Sequence, residues 1–194
     1  VLLTADALVV EEIATLEDVD RAYMANLKAP MGPFGIMDMI GLDLIFSQLD
    51  KKPDNRPSDK LKAKVVDYFE PYVKRGEFGM KTGKGFYSYP GPNYQQPGFL
   101  TGESADTAIL HAMVVALIRS AVLIALQEVA DPEDIDRTWT IATGQKLGPF
   151  GLLKQIGIET VLDVSSRTDE RLKLLTEEEN DLVETYIRQT GAGA

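Results

Sequence analysis

The sequence predicts an all-α chain of two tandemly repeated helical units packed as a pseudo-dimer and joined by an ordered connector of glycine, proline and aromatic residues. Three observations carry that expectation: a long internal repeat, apolar residues at helical spacing in both copies, and turn-forming residues concentrated between the copies.

The repeat runs without a gap from Ala14 to Gly41, and its last helix, Tyr68-Phe69 on Tyr186-Ile187, matches at a shift of 118. Ala14-Thr15-Leu16-Glu17-Asp18-Val19-Asp20-Arg21 aligns with Ala130-Asp131-Pro132-Glu133-Asp134-Ile135-Asp136-Arg137 at an offset of 116 positions. The same offset places Gly32-Pro33-Phe34-Gly35 on Gly148-Pro149-Phe150-Gly151 and Gly41 on Gly157. Where identity is lost, apolar character is kept: Tyr23 meets Trp139, Met31 meets Leu147 and Ile40 meets Ile156. The first unit is placed at residues 1–103 and the second, diverged unit at 104–194.

Each unit is read as four helices. Leu2, Leu3, Leu8, Val9 and Ile13 open the first copy. Val114, Leu117, Ile118, Val122, Ile124 and Leu126 open the second, and both runs are predicted to end near Ala14 and Ala130. Thr15 and Asp131 then stand at N-cap positions, with Asp18 and Asp134 three residues on and Pro132 in the first turn, where proline is tolerated. Gly-Pro-Phe-Gly breaks and restarts the chain, and Phe34, Met37 and Ile40 continue a third helix. Leu61, Val65, Tyr68 and Phe69 predict a fourth over Ser58 to Tyr72, matched by Leu182, Val183, Tyr186 and Ile187 over Thr176 to Ile187. The connector, residues 73–103, carries Phe86, Tyr87 and Tyr89, which are expected to anchor it on a helical surface. The tail from Gly191 is expected to fray.

Composition excludes several function classes. At 194 residues, 44% hydrophobic and 26% charged, the chain belongs with folded globular proteins. Thirty acidic residues against 20 basic ones, a net charge of -10, oppose contact with nucleic acid or an anionic membrane. No apolar run is expected to reach the roughly 20 residues of a bilayer span. Zero cysteines remove disulfides and thiolate chemistry and fit a reducing, cytoplasmic setting. The chain starts at Val1, inside a helix already under way, and is expected to be a fragment.

Gly83-Lys84-Gly85 fails as a phosphate loop, because Gly79 is one residue too close and Gly85 stands where a hydroxyl is needed. The acidic pairs Glu11-Glu12 and Asp18/Asp20 and the run Glu177–Glu179 match no metal loop, and acids in a helix's first turn favour its positive end. His111, the single histidine, lies in an apolar helical run. On residues alone there is no complete catalytic set and no metal site.

Two segments carry a resemblance. Ala29-Pro30-Met31-Gly32-Pro33-Phe34-Gly35 through Asp38-Met39-Ile40-Gly41-Leu42-Asp43, and Gly79-Met80-Lys81-Thr82-Gly83-Lys84-Gly85-Phe86-Tyr87-Ser88-Tyr89, follow Glu17-Asp18-Val19-Asp20-Arg21 in order and spacing. Together they resemble the C-terminal helical domain of 3-hydroxyacyl-CoA dehydrogenases. The second copy resembles it more weakly and lacks the Lys-Thr-Gly-Lys-Gly-Phe-Tyr loop.

The resemblance implies an NAD-dependent oxidoreductase of fatty-acid β-oxidation, such as a 3-hydroxybutyryl-CoA dehydrogenase. Its own N-terminal Rossmann domain would bind NAD and carry the catalytic groups, so this fragment alone is expected to be inactive. By the same resemblance Lys81 reaches the cofactor, and Pro30, Met31 and Gly32 border the acyl-CoA pocket. The helical domain also pairs subunits in such enzymes, so two tandem copies could imitate that dimer within one chain, and the intact protein could self-associate further. Two other readings stay open: a non-enzymatic helical module for oligomerisation or acyl-CoA binding in a larger complex, and a multifunctional chain with a hydratase domain attached.

Overall fold

The computed structural model describes residues 1–49, 56–101 and 107–191. Among these there are ten α-helices, two single 3-10 turns and no strand, so the all-α expectation holds. The chain divides into two compact units, Val1–Leu110 and His111–Ala194. The expected boundary at 103/104 and the end of the fraying tail lie outside the described residues.

The first unit holds α1 (Leu2–Val10), α2 (Leu16–Leu27), α3 (Pro33–Ile40), α4 (Leu42–Leu49) and α5 (Asp59–Lys74). The second holds most of α6 (Thr107–Leu126), then α7 (Pro132–Thr143), α8 (Pro149–Ile156), α9 (Ile158–Leu172) and α10 (Glu177–Gly191). Five helices per unit, where four were expected, reflect α4 and α9. Leu42, Ile45, Phe46 and Leu49 follow helical spacing, and the helix starts directly after Gly41, in a stretch to which the sequence reading assigned no helix.

The backbone repeats in its unusual conformations as well as in its residues. Glu12 and Glu128 both take left-handed φ, 55° and 56°. Ile13 N–H donates to Leu8 O at 2.9 Å and Val129 N–H to Ile124 O at 3.1 Å, the cap that ends a helix through a left-handed residue. These caps stop α1 at Val10 and α6 at Leu126, short of the predicted ends, because a glutamate gives no glycine-like signal of a left-handed turn. Lys28 and Gly144, then Gly41 and Gly157, repeat positive φ at the same offset.

The start of α2 is as expected: Thr15 Oγ1 accepts from Asp18 N–H at 3.2 Å, and Asp18 Oδ2 accepts from Thr15 N–H at 3.3 Å. α10 uses the same device, Thr176 with Glu179, which accounts for one member of the 177–179 acidic run. Asp131 makes no such side-chain bond at the start of α7.

In the first unit Val19, Phe34, Met37, Leu42, Val65 and Phe69 are fully buried, on the four consecutive helices α2 to α5. In the second, Val122, Phe150, Leu153, Val161, Val183 and Ile187 are buried. α2 buries five residues, whereas its repeat α7 buries none.

One expectation is overturned. α6, 20 residues long, is long and apolar enough to cross a membrane by length and composition. His111, Arg119 and Ser120 interrupt the run without making it polar overall. Half of it is buried inside the structure, and Arg119, 3% exposed, bonds the Asn180 side chain on α10. A core helix has the same composition as a membrane span, and a buried, partnered arginine facing another helix fits the core role.

Candidate functional site

Two buried carboxylates organise the first unit. Asp20, on α2, accepts from Phe34 N–H at 2.8 Å through Oδ1, and from Gly35 N–H at 3.1 Å and the Tyr87 hydroxyl at 2.9 Å through Oδ2. It therefore satisfies the orphan amides at the start of α3, which no residue of α3 itself can reach. Gly32 is glycine for this reason: a Cβ there would collide with the Asp20 backbone and carboxyl group.

Asp38, near the end of α3, holds the connector. Its Oδ1 accepts from Phe86 N–H at 2.9 Å, and its Oδ2 from Tyr87 N–H at 2.9 Å and the Tyr89 hydroxyl at 3.0 Å. The loop closes on itself through Gly79 N–H to Lys84 O, 2.8 Å, and Phe78 N–H to Thr82 Oγ1, 2.8 Å. A Cβ on Gly79 or Gly85 would run into Asp38, so only glycine lets the loop lie this close. Phe86 inserts among Phe34, Phe69 and Tyr72, with ring centroids 5.0, 5.2 and 5.0 Å away. Tyr87 stacks edge-on against Tyr94 at 5.0 Å. Phe86, Tyr87 and Tyr89 are thus the anchors the sequence implied.

Burial sets the electrostatics. It pushes Asp20 up to about 7, against the pull of the hydrogen bonds from Phe34, Tyr87 and Gly35. Burial also raises Asp38 despite its three donors. Tyr87 and Tyr89 are pushed above the usual phenol range, first by burial and then by the carboxylates they touch.

The pinned loop presents Lys81 on the turn Met80–Thr82. Its ammonium donates to Asp43 Oδ1 at 2.5 Å and lies 5.4 Å from the Phe78 ring centroid, with the side chain half exposed. The Lys81 hydrogen bond holds Asp43 below the usual carboxylate range. Pro30 is exposed, Met31 half-buried and Gly32 buried. They stand before the start of α3, while Lys81 lies beside Gly41 past its end, so the two groups are separated by the length of that helix, roughly 12 Å. Asp20, Asp38 and Asp43 were missed as site residues. The recurrence of Asp20 as Asp136 was the available signal for one of them, since a helix's first turn does not extend that far.

His111 is half-buried on α6. No group of three or more metal-ligating side chains occurs among the described residues.

The second unit repeats only part of this arrangement. Asp136 accepts from Phe150 N–H at 2.8 Å and Gly151 N–H at 2.9 Å, and Gly148 abuts it as Gly32 abuts Asp20. The Asp38 position is Lys154, exposed on α8, and the sequence that follows contains no Lys-Thr-Gly-Lys-Gly-Phe-Tyr loop.

Comparison with known proteins bears on both units. The sequence model of the family described as 3-hydroxyacyl-CoA dehydrogenase, C-terminal domain, matches residues 1–89 and again 109–193. A 3-hydroxybutyryl-CoA dehydrogenase of Mycobacterium tuberculosis is 38% identical over 93 residues, covering 45% of this chain and 30% of the relative. A peroxisomal bifunctional enzyme of Danio rerio is 26% identical over 182 residues, 79% of this chain and 25% of the relative. The crystal structure of 3-hydroxybutyryl-CoA dehydrogenase from Escherichia coli superposes with a TM-score of 0.66 at 14% identity, over 98% of this chain and 58% of that one, a likeness of fold. The chain thus spans under a third of the length of the curated relatives it matches.

Proposed function

Because the chain belongs to the 3-hydroxyacyl-CoA dehydrogenase C-terminal domain family, we propose that it is the substrate-closing and subunit-pairing portion of an NAD-dependent 3-hydroxyacyl-CoA dehydrogenase of fatty-acid metabolism. The observation that supports this most is the double match of that family over residues 1–89 and 109–193. On this reading the intact enzyme would oxidise the 3-hydroxyl of an acyl-CoA: bound NAD would supply the acceptor for the C3 hydride, and the base for the hydroxyl proton would lie outside this chain.

The residues in hand fit a role beside the cofactor. Lys81 is half exposed at the tip of a loop fixed by buried carboxylates, and an ammonium of three donors suits an anionic diphosphate. Asp20 and Asp38 hold that loop in place. Pro30, Met31 and Gly32 are proposed to border the acyl pocket. Gly32 is also required by its packing on Asp20, as Gly148 is on Asp136 in the unit that lacks the loop. The second unit is proposed to be structural, giving one chain the pairing that single-copy relatives achieve with two, and the cytoplasm is the proposed compartment.

Reduction of acetoacetyl-CoA by NADH tests the division of labour. The 194-residue chain is expected to show no turnover and the intact protein to show it; turnover by the chain alone would refute the proposal. If the intact protein were also inactive, the non-enzymatic module would be the better account.

A further inference from the structure

The environment of the Lys81 ammonium is built, and most of its parts lie outside the loop that carries it. Asp43 comes from the first turn of α4, Phe78 from the chain entering the loop, and Gly41 from the junction of α3 and α4. A Cβ on Gly41 would approach Lys81 Nζ and Asp43 Oδ1, each at 2.9 Å. Gly41 also has φ of 108°, which side chains other than hydrogen strain to adopt. The junction is tied to the loop's entry by Leu42 N–H donating to Phe78 O at 3.1 Å. The second unit supplies the contrast. There Gly157 keeps the positive φ, Glu159 stands at the Asp43 position, and nothing lies within 4 Å of where a Gly157 Cβ would be.

We propose that Asp43 is a positioning residue: with Gly41 and Phe78 it holds the Lys81 ammonium where the loop presents it, so that the cation meets the anionic cofactor already oriented. This rests on the reading that Lys81 faces NAD. A lysine side chain loses rotamer freedom when it is fixed. An ion pair formed beforehand removes part of that loss from the binding step, as preorganisation does generally. Asp43 also competes for the ammonium, but orientation outweighs competition because Phe78 and Gly41 confine the same ammonium from other sides.

The test measures NADH binding to the intact enzyme by fluorescence titration, alongside KM and kcat, for K81A, D43N, D43E and the double variant. K81A is expected to weaken NADH binding about tenfold, the scale of a charge-assisted bond. D43N is expected to weaken it about two- to fivefold with kcat little changed, D43E to recover most of the loss, and D43N to add nothing in the K81A background. In the 194-residue chain, the Asp43 carboxyl carbon followed by NMR should titrate below the ordinary aspartate range, and return to it in K81A. No effect of K81A on NADH would overturn the underlying reading, and the inference with it. A normal response to K81A with unchanged or tighter binding in D43N would overturn the inference alone.

Discussion

Set side by side, α2–α3 with its loop and α7–α8 without one show how much a single buried acid can organise. Both pairs keep the Gly-Pro-Phe-Gly turn, and both hold it with an aspartate that accepts from the same two amides. Only the first has Asp38, and only the first has a loop for Asp38 to hold. Lys154 in its place donates where the loop would need an acceptor. The second pair is also barer: Asp20 is fully buried and Asp136 is not, and Ile141 of α7 is 77% exposed. The turn is therefore a device of the fold, repeated wherever the unit is repeated, and the loop is an addition to one copy that needs its own anchor.

The sharpest way to break this contrast is to remove the anchor. Asp38→Ala leaves the Phe86 and Tyr87 amides without their acceptor and should cost about 3–5 kcal/mol in urea unfolding followed by circular dichroism, whereas Lys154→Ala should stay within about 0.5 kcal/mol. Because Trp139 in the second unit is the single tryptophan, its fluorescence gives that unit's transition separately. Equal losses from the two substitutions would mean that the loop adds nothing to the first unit.

A smaller difference is expected at the shared acid. Asp20→Ala should cost about 2–3 kcal/mol and Asp136→Ala about 1 kcal/mol, since the first strands buried donors and the second donors that water can reach. The pH dependence has a definite sign. Burial raises Asp20 to about 7, so the folded state holds its proton over a range where the unfolded chain, titrating near 4, has lost it. This contribution is fully present below about 4 and declines as pH rises to about 7, and Asp20→Asn should flatten that part of the stability–pH curve. A curve for the asparagine variant parallel to the parent's would contradict the assignment.

The smallest effect concerns caps. Thr15→Ala removes a two-way bond with Asp18 and should cost about 1 kcal/mol, while Asp131→Ala, with no such bond to lose, should cost less than about 0.5 kcal/mol.

These contrasts also mark how far sequence reasoning reached. The repeat, the Thr15 cap, the Gly-Pro-Phe-Gly restart and the aromatic anchoring were legible because each rests on local residue chemistry. Glu12 and Glu128 were not, since a left-handed glutamate is imposed by the cap around it. Asp38 and Asp43 were not either. Their partners lie 48 and 38 residues away, and no local pattern distinguishes a buried acceptor from a solvated acid. α6 misled in the opposite direction: a few polar residues concealed a run that composition alone places beside membrane helices.

Native-state hydrogen exchange on the 194-residue chain tests most directly the claim that one unit carries a loop clamped by a buried acid. The amides of Phe86 and Tyr87 should be protected to the level of the α5 core, and more than those of Phe150 and Gly151, and should lose that protection in Asp38→Asn. Loop amides exchanging at the rate of open chain, or protection untouched by the substitution, would contradict it.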